Sequence, residues 1–125
     1  MIVLDASALL AFLRREVGHD IVNAQLGQAC ISAINFAEVL ARMSTSGIAP
    51  RDLRVQLDST GLRVIDFDIA QSVVVAEIRD QMRSAGIGIA DCCCLGLGLH
   101  LALPILTADR AWTTLGLGVT VQLIR

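Results

Sequence analysis

Residues 92–108 carry no formal charge, although the run is bounded by Asp91 and Asp109. It is shorter than the roughly 20 apolar residues that a membrane-spanning helix needs, and Pro104 divides it into two pieces. We therefore predict a buried helix that begins near Asp91, followed by a buried strand, "ILT", that ends just before Asp109. Both elements must be covered by the rest of the chain, and no membrane association is expected.

Strand-like and helical segments alternate along the whole sequence. The strand-like runs are "MIVL", "ACIS", "LRVIDFD", "ILT" and "GVTVQLI", and helical periodicity separates them. The hydrophobic fraction is 54% with only 3% aromatic residues, which suits strands buried on both faces and closely packed helices. This pattern predicts one α/β domain over residues 1–125, with a parallel sheet covered on both faces. The same composition leaves apolar surface for a protein partner or a second copy of the chain.

The charged residues exclude several function classes. All ten basic residues are arginine, so a Schiff base, a P-loop lysine and the lysine of a receiver domain are excluded. A haloacid-dehalogenase-type phosphatase is also excluded, because it needs a lysine and a second acid two residues after Asp5, where this chain has Ser7. The net charge of −2 also provides no basic field over the whole protein that would attract nucleic acid.

The cysteines and the N-terminus both indicate a cytoplasmic protein. Cys30 stands alone, and three consecutive cysteines at 92–94 cannot form a C-x-x-C metal or redox site. We expect all four to be buried thiols in a reducing compartment. The first apolar run is interrupted by Asp5 and has no basic segment before it, so no secretory leader is expected.

Four acidic residues occupy positions where α/β sheets bind ligands. Asp5 follows "MIVL" and Asp109 follows "PILTA", and ligands bind outside the carboxyl ends of such strands. Asp91 falls in the first turn of its helix, and Glu38 lies on the apolar helix "INFAEVLA". Each has an ordinary explanation when taken alone: a helix cap, a turn residue, or a surface pair between Glu38 and Arg42.

Taken together, these acids indicate a metal site. Two carboxylates about 4 Å apart repel each other by about 4 kcal/mol at an effective dielectric constant of about 20. A fold keeps such a cluster when one acid remains protonated or when a divalent cation neutralises it. Ligands that are all oxygen, without His or Cys, suit Mg²⁺ or Mn²⁺ rather than zinc.

Four segments of the sequence resemble those that carry the active-site acids in PIN domains. They are "MIVLDASALLAFLRRE", "NFAEVL", "GIADCCCLGLG" and "PILTADRAW", and the likeness is closest to the VapC-type toxin ribonucleases of bacterial type II toxin–antitoxin pairs. The acids occur in the order D…E…D…D, with D-x-S at the start and T-x-D-R near the end. The one departure is "CCC" after Asp91, where the family usually has an Ala/Leu mixture.

The resemblance implies a three-layer α/β/α domain with a central, mainly parallel sheet of four to five strands. It further implies a Mg²⁺- or Mn²⁺-dependent endoribonuclease, a homodimer, and a cognate antitoxin that blocks the site. Asp5, Glu38, Asp91 and Asp109 match the acidic quartet of the family. Ser7 and Thr107 match the hydroxyl residues beside those acids.

The roles of the individual residues are expectations. Asp5 and Asp91 are expected to be direct metal ligands, and Glu38 and Asp109 to bind directly or through water. Ser7 and Thr107 would orient these ligands. Two further residues have alternative explanations. Arg110 would contact phosphate or form a structural salt bridge, and Trp112 would lie in the core or at an interface, or stack on a base.

An alternative function remains open from the sequence alone. A PIN-like chain that is catalytically weak or inactive would act mainly by holding its protein partner and regulating a promoter. The intact acids favour the nuclease over this binding module.

Overall fold

A five-stranded sheet forms the centre of the computed structural model, which describes residues 1–125. All neighbouring strands are parallel, and their order is β3-β2-β1-β4-β5. The strands are β1 (Ile2–Leu4), β2 (Ala29–Ser32), β3 (Arg63–Ile65), β4 (Ile105–Thr107) and β5 (Val121–Leu123). The predicted parallel sheet is confirmed.

Six α-helices cover the two faces of this sheet. They are α1 (Ala6–Leu13), α2 (His19–Gln25), α3 (Ala33–Ser44), α4 (Pro50–Asp58), α5 (Ile69–Ser84) and α6 (Ile89–Leu101). Short 3₁₀ helices span Leu26–Gln28 and Arg110–Thr114. Buried side chains of α1 to α4 form one core cluster, and those of α5 and α6 form another. The predicted three-layer α/β/α fold is therefore confirmed.

Alternation along the central strand divides its side chains between the two cores. In β1, Ile2 and Leu4 pack into the cluster with α1 to α4, and Val3 packs into the cluster with α5 and α6. All three are buried. Successive side chains of a strand point to opposite faces, so a central strand between two helical layers must be apolar at every position. This requirement is why "MIVL" is a continuous apolar run that ends at a polar residue.

The uncharged run between the two aspartates forms a helix and a strand, as predicted. α6 ends at Leu101 with Ala102 in the left-handed conformation (φ 53°), and the chain then passes Pro104 into β4. A Cβ atom placed on Gly98 would lie 2.7 Å from Ile105 Cδ1. Glycine at this position therefore allows α6 to lie close against the sheet. No helix of the structure is both long and apolar enough to cross a membrane.

Candidate active site

The four acidic residues meet at the carboxyl edge of the central strands. Asp5 directly follows β1, and Asp109 lies two residues beyond the neighbouring parallel strand β4. Glu38 on α3 and Asp91 on α6 reach the same edge. A cleft of about 140 Å³, which we call the acidic cleft, is lined by Asp5, Ala6, Ser7, Leu10, Glu38, Arg42, Asp91, Asp109 and Trp112. Carboxylates from four separate segments therefore share one opening.

Asp5 is the most rigidly held of these acids. Its side chain is only 4% exposed, and its Oδ2 accepts hydrogen bonds from Ser7 Oγ at 2.6 Å and from Thr107 Oγ1 at 2.8 Å. Neither hydroxyl bonds the other oxygen, Oδ1, while Asp5 lines the cleft. One oxygen therefore fixes the orientation of the carboxylate, and the other is available to a ligand.

The two hydroxyl groups also connect Asp5 to the loop that carries Asp109. Ser7 Oγ accepts a hydrogen bond from the Ala108 N–H at 3.0 Å, and Thr107 Oγ1 accepts one from the Asp109 N–H at 3.0 Å. Ser7 could cap a helix by its residue type, but α1 begins at Ala6 and the cap position is Asp5. The Ser7 side chain is instead used to assemble the acidic cleft.

Burial and mutual repulsion raise the pKa of two of the acids. Removal from water raises the pKa of Asp5, although the hydrogen bonds from Ser7 and Thr107 oppose this change. Burial, followed by repulsion from Asp5, Glu38 and Asp109, raises the pKa of Asp91 from its ordinary value of 3.8 to about 6. The cluster therefore holds negative charge at neutral pH against a substantial cost, which a divalent cation would offset.

The donor set suits a hard divalent cation in chemistry and charge. All four candidate ligands offer carboxylate oxygen, which Mg²⁺ and Mn²⁺ prefer. As arranged in the structure, no three of these side chains converge closely enough to hold an ion between them. Asp5 is fixed, whereas Glu38 and Asp91 are half-buried and Asp109 is exposed. Asp109 uses Oδ1 to cap the Arg110–Thr114 turn, which leaves Oδ2 free. Each of these three acids therefore keeps at least one carboxylate oxygen free of hydrogen bonds within the protein.

Asn35 is a residue of this site that the sequence analysis missed. It is fully buried, and its Nδ2 donates hydrogen bonds to Glu38 Oε2 at 3.1 Å and to the Ala90 carbonyl oxygen at 3.0 Å. Both partners are acceptors, so the amide nitrogen must face them. Ala90 directly precedes Asp91, and Asn35 thus connects the two helices that carry acids. An amide three residues before Glu38, on the same apolar helix face, was the available signal.

Replacing Asn35 with alanine is expected to lower the free energy of unfolding by about 1–3 kcal/mol. The substitution removes two partly buried hydrogen bonds and leaves the Ala90 carbonyl without that donor. Urea unfolding of Asn35→Ala and of the control Asn23→Ala, which changes an exposed asparagine on α2, measures the difference. Equal midpoints and slopes for the two variants would contradict a stabilising role for the Asn35 contacts.

The structure also shows the surroundings of Trp112, of two arginines near the cleft and of the cysteines. Trp112 is 2% exposed and belongs to the core cluster with α5 and α6, so its ring is not presented for stacking on a base. Arg110 is exposed and forms no salt bridge, which removes one of its two explanations. The expected pair between Glu38 and Arg42 is also not formed. All four cysteines are buried and free, as predicted.

Solved structures share this fold along nearly their whole length. A toxin–antitoxin complex from Klebsiella pneumoniae is 16% identical, with a TM-score of 0.77 and coverage of 100% of this chain and 98% of that chain. DNA-bound VapBC from Salmonella typhimurium is 19% identical, with a TM-score of 0.75 and 100% coverage of both chains. VapBC-1 from nontypeable Haemophilus influenzae is 16% identical, with a TM-score of 0.73 and coverage of 99% and 98%. At these identities the likeness shows the fold.

The sequence itself matches one protein family. The model of the PIN domain matches residues 2–116, which include the acidic quartet and the two hydroxyl residues. No curated protein matches the sequence significantly. Because the match extends over most of the chain and the three-layer fold agrees with it, the chain belongs to the PIN domain family.

Proposed function

We propose that this chain is a Mg²⁺- or Mn²⁺-dependent endoribonuclease that cleaves RNA phosphodiester bonds at the acidic cleft. The observation that carries the proposal is the meeting of four carboxylates at the strand ends of a PIN domain. PIN domains generally use divalent metal ions, and PIN toxins of the VapC type are nucleases. The raised pKa of Asp91 adds support, because it reflects negative charge that a cation would neutralise.

The residues of the acidic cleft divide into ligands and supports. Asp5 and Asp91 would hold the ion directly, and Glu38 and Asp109 would bind it directly or through water. A divalent ion bound there supplies a Lewis acid for the phosphate and lowers the pKa of an attacking water. Ser7 and Thr107 keep Asp5 in one orientation, so its free oxygen does not rotate out of the cleft. Asn35 restrains Glu38 less, through one hydrogen bond to Oε2.

We also propose that the chain is the toxin of a type II toxin–antitoxin pair. In this proposal it forms a homodimer in the cytoplasm, and a cognate antitoxin covers the acidic cleft. The structural neighbours include toxin–antitoxin and VapBC complexes, which supports a protein partner of this kind. Exposed apolar side chains on α5 and α6, among them Ile69 and Ile89, offer surface for protein contacts.

RNA binding in this proposal depends on the ion, because the cleft is acidic. Without the ion, affinity should be weak and should fall steeply with salt. Arg110 follows Asp109 directly and has no carboxylate partner, so it is placed to contact a phosphate beside the cleft. Phosphate contacts position the strand and carry no sequence information, and the choice of cut site must come from other contacts.

Metal removal tests the proposal directly. The purified chain, freed of any partner, is incubated with a mixed RNA pool in Mg²⁺ or Mn²⁺, and then with excess EDTA. We expect cleavage with either ion and none above background after chelation. Gel electrophoresis and mapping of the new 5′ ends measure the cleavage. Cleavage that persists in EDTA would contradict metal dependence. Intact RNA in every metal, from a folded protein that still binds its antitoxin, would favour the inactive binding module.

A further inference from the structure

Arg42 is a cation that the protein does not use for its own structure. Its guanidinium group forms no salt bridge and no hydrogen bond. Three other arginines are engaged: Arg79 Nη1 donates to the Ile87 carbonyl at 2.8 Å, Arg83 pairs with Asp80, and Arg125 lies 3.8 Å from Glu16. An unpaired arginine next to four carboxylates calls for a separate explanation.

The position of Arg42 on α3 places it beside the carboxylates. It is four residues after Glu38, so the two side chains share a face of the helix about 6 Å apart along its axis. This spacing favours an ion pair, yet none forms within 4 Å. Arg42 is exposed while it lines the acidic cleft, so its guanidinium group is open to solvent at the mouth. The group is therefore free to bind an anion that enters.

Charge indicates which anion Arg42 would bind. It is the one basic residue among those that line the acidic cleft, where it faces Asp5, Glu38, Asp91 and Asp109. Its positive charge opposes the upward shift of the Asp91 pKa, so its field reaches the acids. An RNA phosphate that approaches is repelled by every charged side chain of the cleft except this one. The planar guanidinium group matches two oxygens of a phosphate.

We propose that Arg42 is a substrate-binding residue that holds a backbone phosphate of the RNA at the mouth of the acidic cleft. This inference rests on the proposed function, because it assumes that RNA is the substrate. The contact is to the backbone, so it strengthens binding of all RNA sequences alike. Arg42 also opposes metal binding in the absence of RNA, since it lies among the ligands of a cation. Removing its charge should therefore change metal affinity and RNA affinity in opposite directions.

The contribution of Arg42 to RNA binding is tested by steady-state cleavage of a short RNA. The variants are Arg42→Gln and Arg42→Lys, and the control is Arg54→Gln. Arg54 is exposed on α4, forms no salt bridge and does not line the cleft. We expect Arg42→Gln to raise KM roughly tenfold with little change in kcat. The reason is that the lost charge-assisted contact binds the substrate and the transition state equally. The slope of log kcat/KM against log salt should fall in magnitude by about 0.7, the value for one single-strand phosphate contact. Arg42→Lys should have an intermediate KM, since lysine keeps the positive charge but cannot contact two phosphate oxygens with a planar group.

Titration with Mn²⁺ in the absence of RNA tests the effect of Arg42 on metal affinity. Trp112, the only tryptophan, lines the acidic cleft and reports binding of the paramagnetic ion by fluorescence quenching. We expect Arg42→Gln to bind Mn²⁺ roughly two- to tenfold more tightly than the wild type, because one repulsive charge has been removed. A substitution that merely disturbed the fold would weaken both metal and RNA binding.

The outcomes separate this inference from the function on which it rests. A higher KM with tighter Mn²⁺ binding supports Arg42 as the phosphate contact. If the wild type cleaves RNA and Arg42→Gln has the same KM and salt slope, the inference is wrong while the nuclease stands. If no variant cleaves RNA with any metal although Mn²⁺ quenches Trp112, the nuclease proposal itself is wrong.

Discussion

Replacing Asp5 with asparagine is expected to reduce RNA cleavage in saturating Mg²⁺ by roughly a thousandfold or more. The amide keeps the shape of the carboxylate and can still accept from Ser7 Oγ and Thr107 Oγ1 through its oxygen. It removes the charge from the one acid whose orientation is fixed. The other three acids lie on α3, on α6 and beyond β4, so none can take the place of an oxygen held at the end of β1. Single-turnover cleavage of a labelled RNA measures the loss.

The same variant should be at least as stable as the wild type in the absence of metal. A buried carboxylate with a raised pKa destabilises the folded protein at neutral pH, and asparagine removes that cost. Urea unfolding in EDTA compares Asp5→Asn with Asp58→Asn, an exposed acid at the end of α4. Asp58→Asn should cleave RNA like the wild type. Cleavage by Asp5→Asn within tenfold of wild type would remove Asp5 from the set of metal ligands.

The metal-free protein is expected to become less stable as the pH rises from about 4 to about 6. The pKa of Asp91 is about 6 in the folded chain and 3.8 ordinarily, so between these values the folded state holds a proton that the unfolded state has released. The free energy of unfolding therefore falls with rising pH, and this contribution is lost above the folded pKa. The pKa of Asp5 is shifted in the same direction. Urea unfolding in EDTA across this range measures the trend.

Divalent metal should reverse that trend. At pH 7.5, Mn²⁺ at one hundred times its Kd is expected to stabilise the chain by about 2.7 kcal/mol. At pH 5 the same concentration should stabilise it much less, because protons compete for the carboxylates. Asp91→Asn serves as the matched variant, and its stability in EDTA should depend less on pH. Stability in EDTA that increases steadily from pH 4 to 6 would contradict the raised pKa of Asp91.

The sequence was sufficient to predict the layers of the fold and the acidic residues of the cleft. Hydrophobic patterning follows local geometry, so the apolar strand "MIVL" and the helical periodicity between the strand-like runs were both recognisable. The rule that ligands bind at the carboxyl ends of parallel strands then pointed to Asp5 and Asp109. Strand lengths were less accurate. "LRVIDFD" pairs only over Arg63–Ile65, since Asp68 Oδ1 is used to cap α5.

The contacts that hold the site together could not be predicted in the same way. Asn35 bonds a carbonyl 55 residues away, and nothing in the local pattern of α3 specifies that partner. Ser7 Oγ accepts from the N–H of Ala108, 101 residues away, and nothing in the local pattern of α1 specifies that contact. Glu38 and Arg42 are spaced for an ion pair on α3, but the pair is not formed in the folded cleft. Each of these outcomes depends on which helices become neighbours.

The central position of β1 has a consequence for when the acidic cleft can form during synthesis of the chain. Asp5 is among the first residues made, yet the hydroxyl of Thr107 and the N–H of Ala108 that complete its surroundings are about one hundred positions later. β1 also lacks its neighbour β4 until residues 105–107 have left the ribosome. Pairing of such distant segments is slow, because the loop must close before any contact compensates for its entropy. A partly synthesised chain that lacks residues 105–108 therefore carries no assembled acidic cleft.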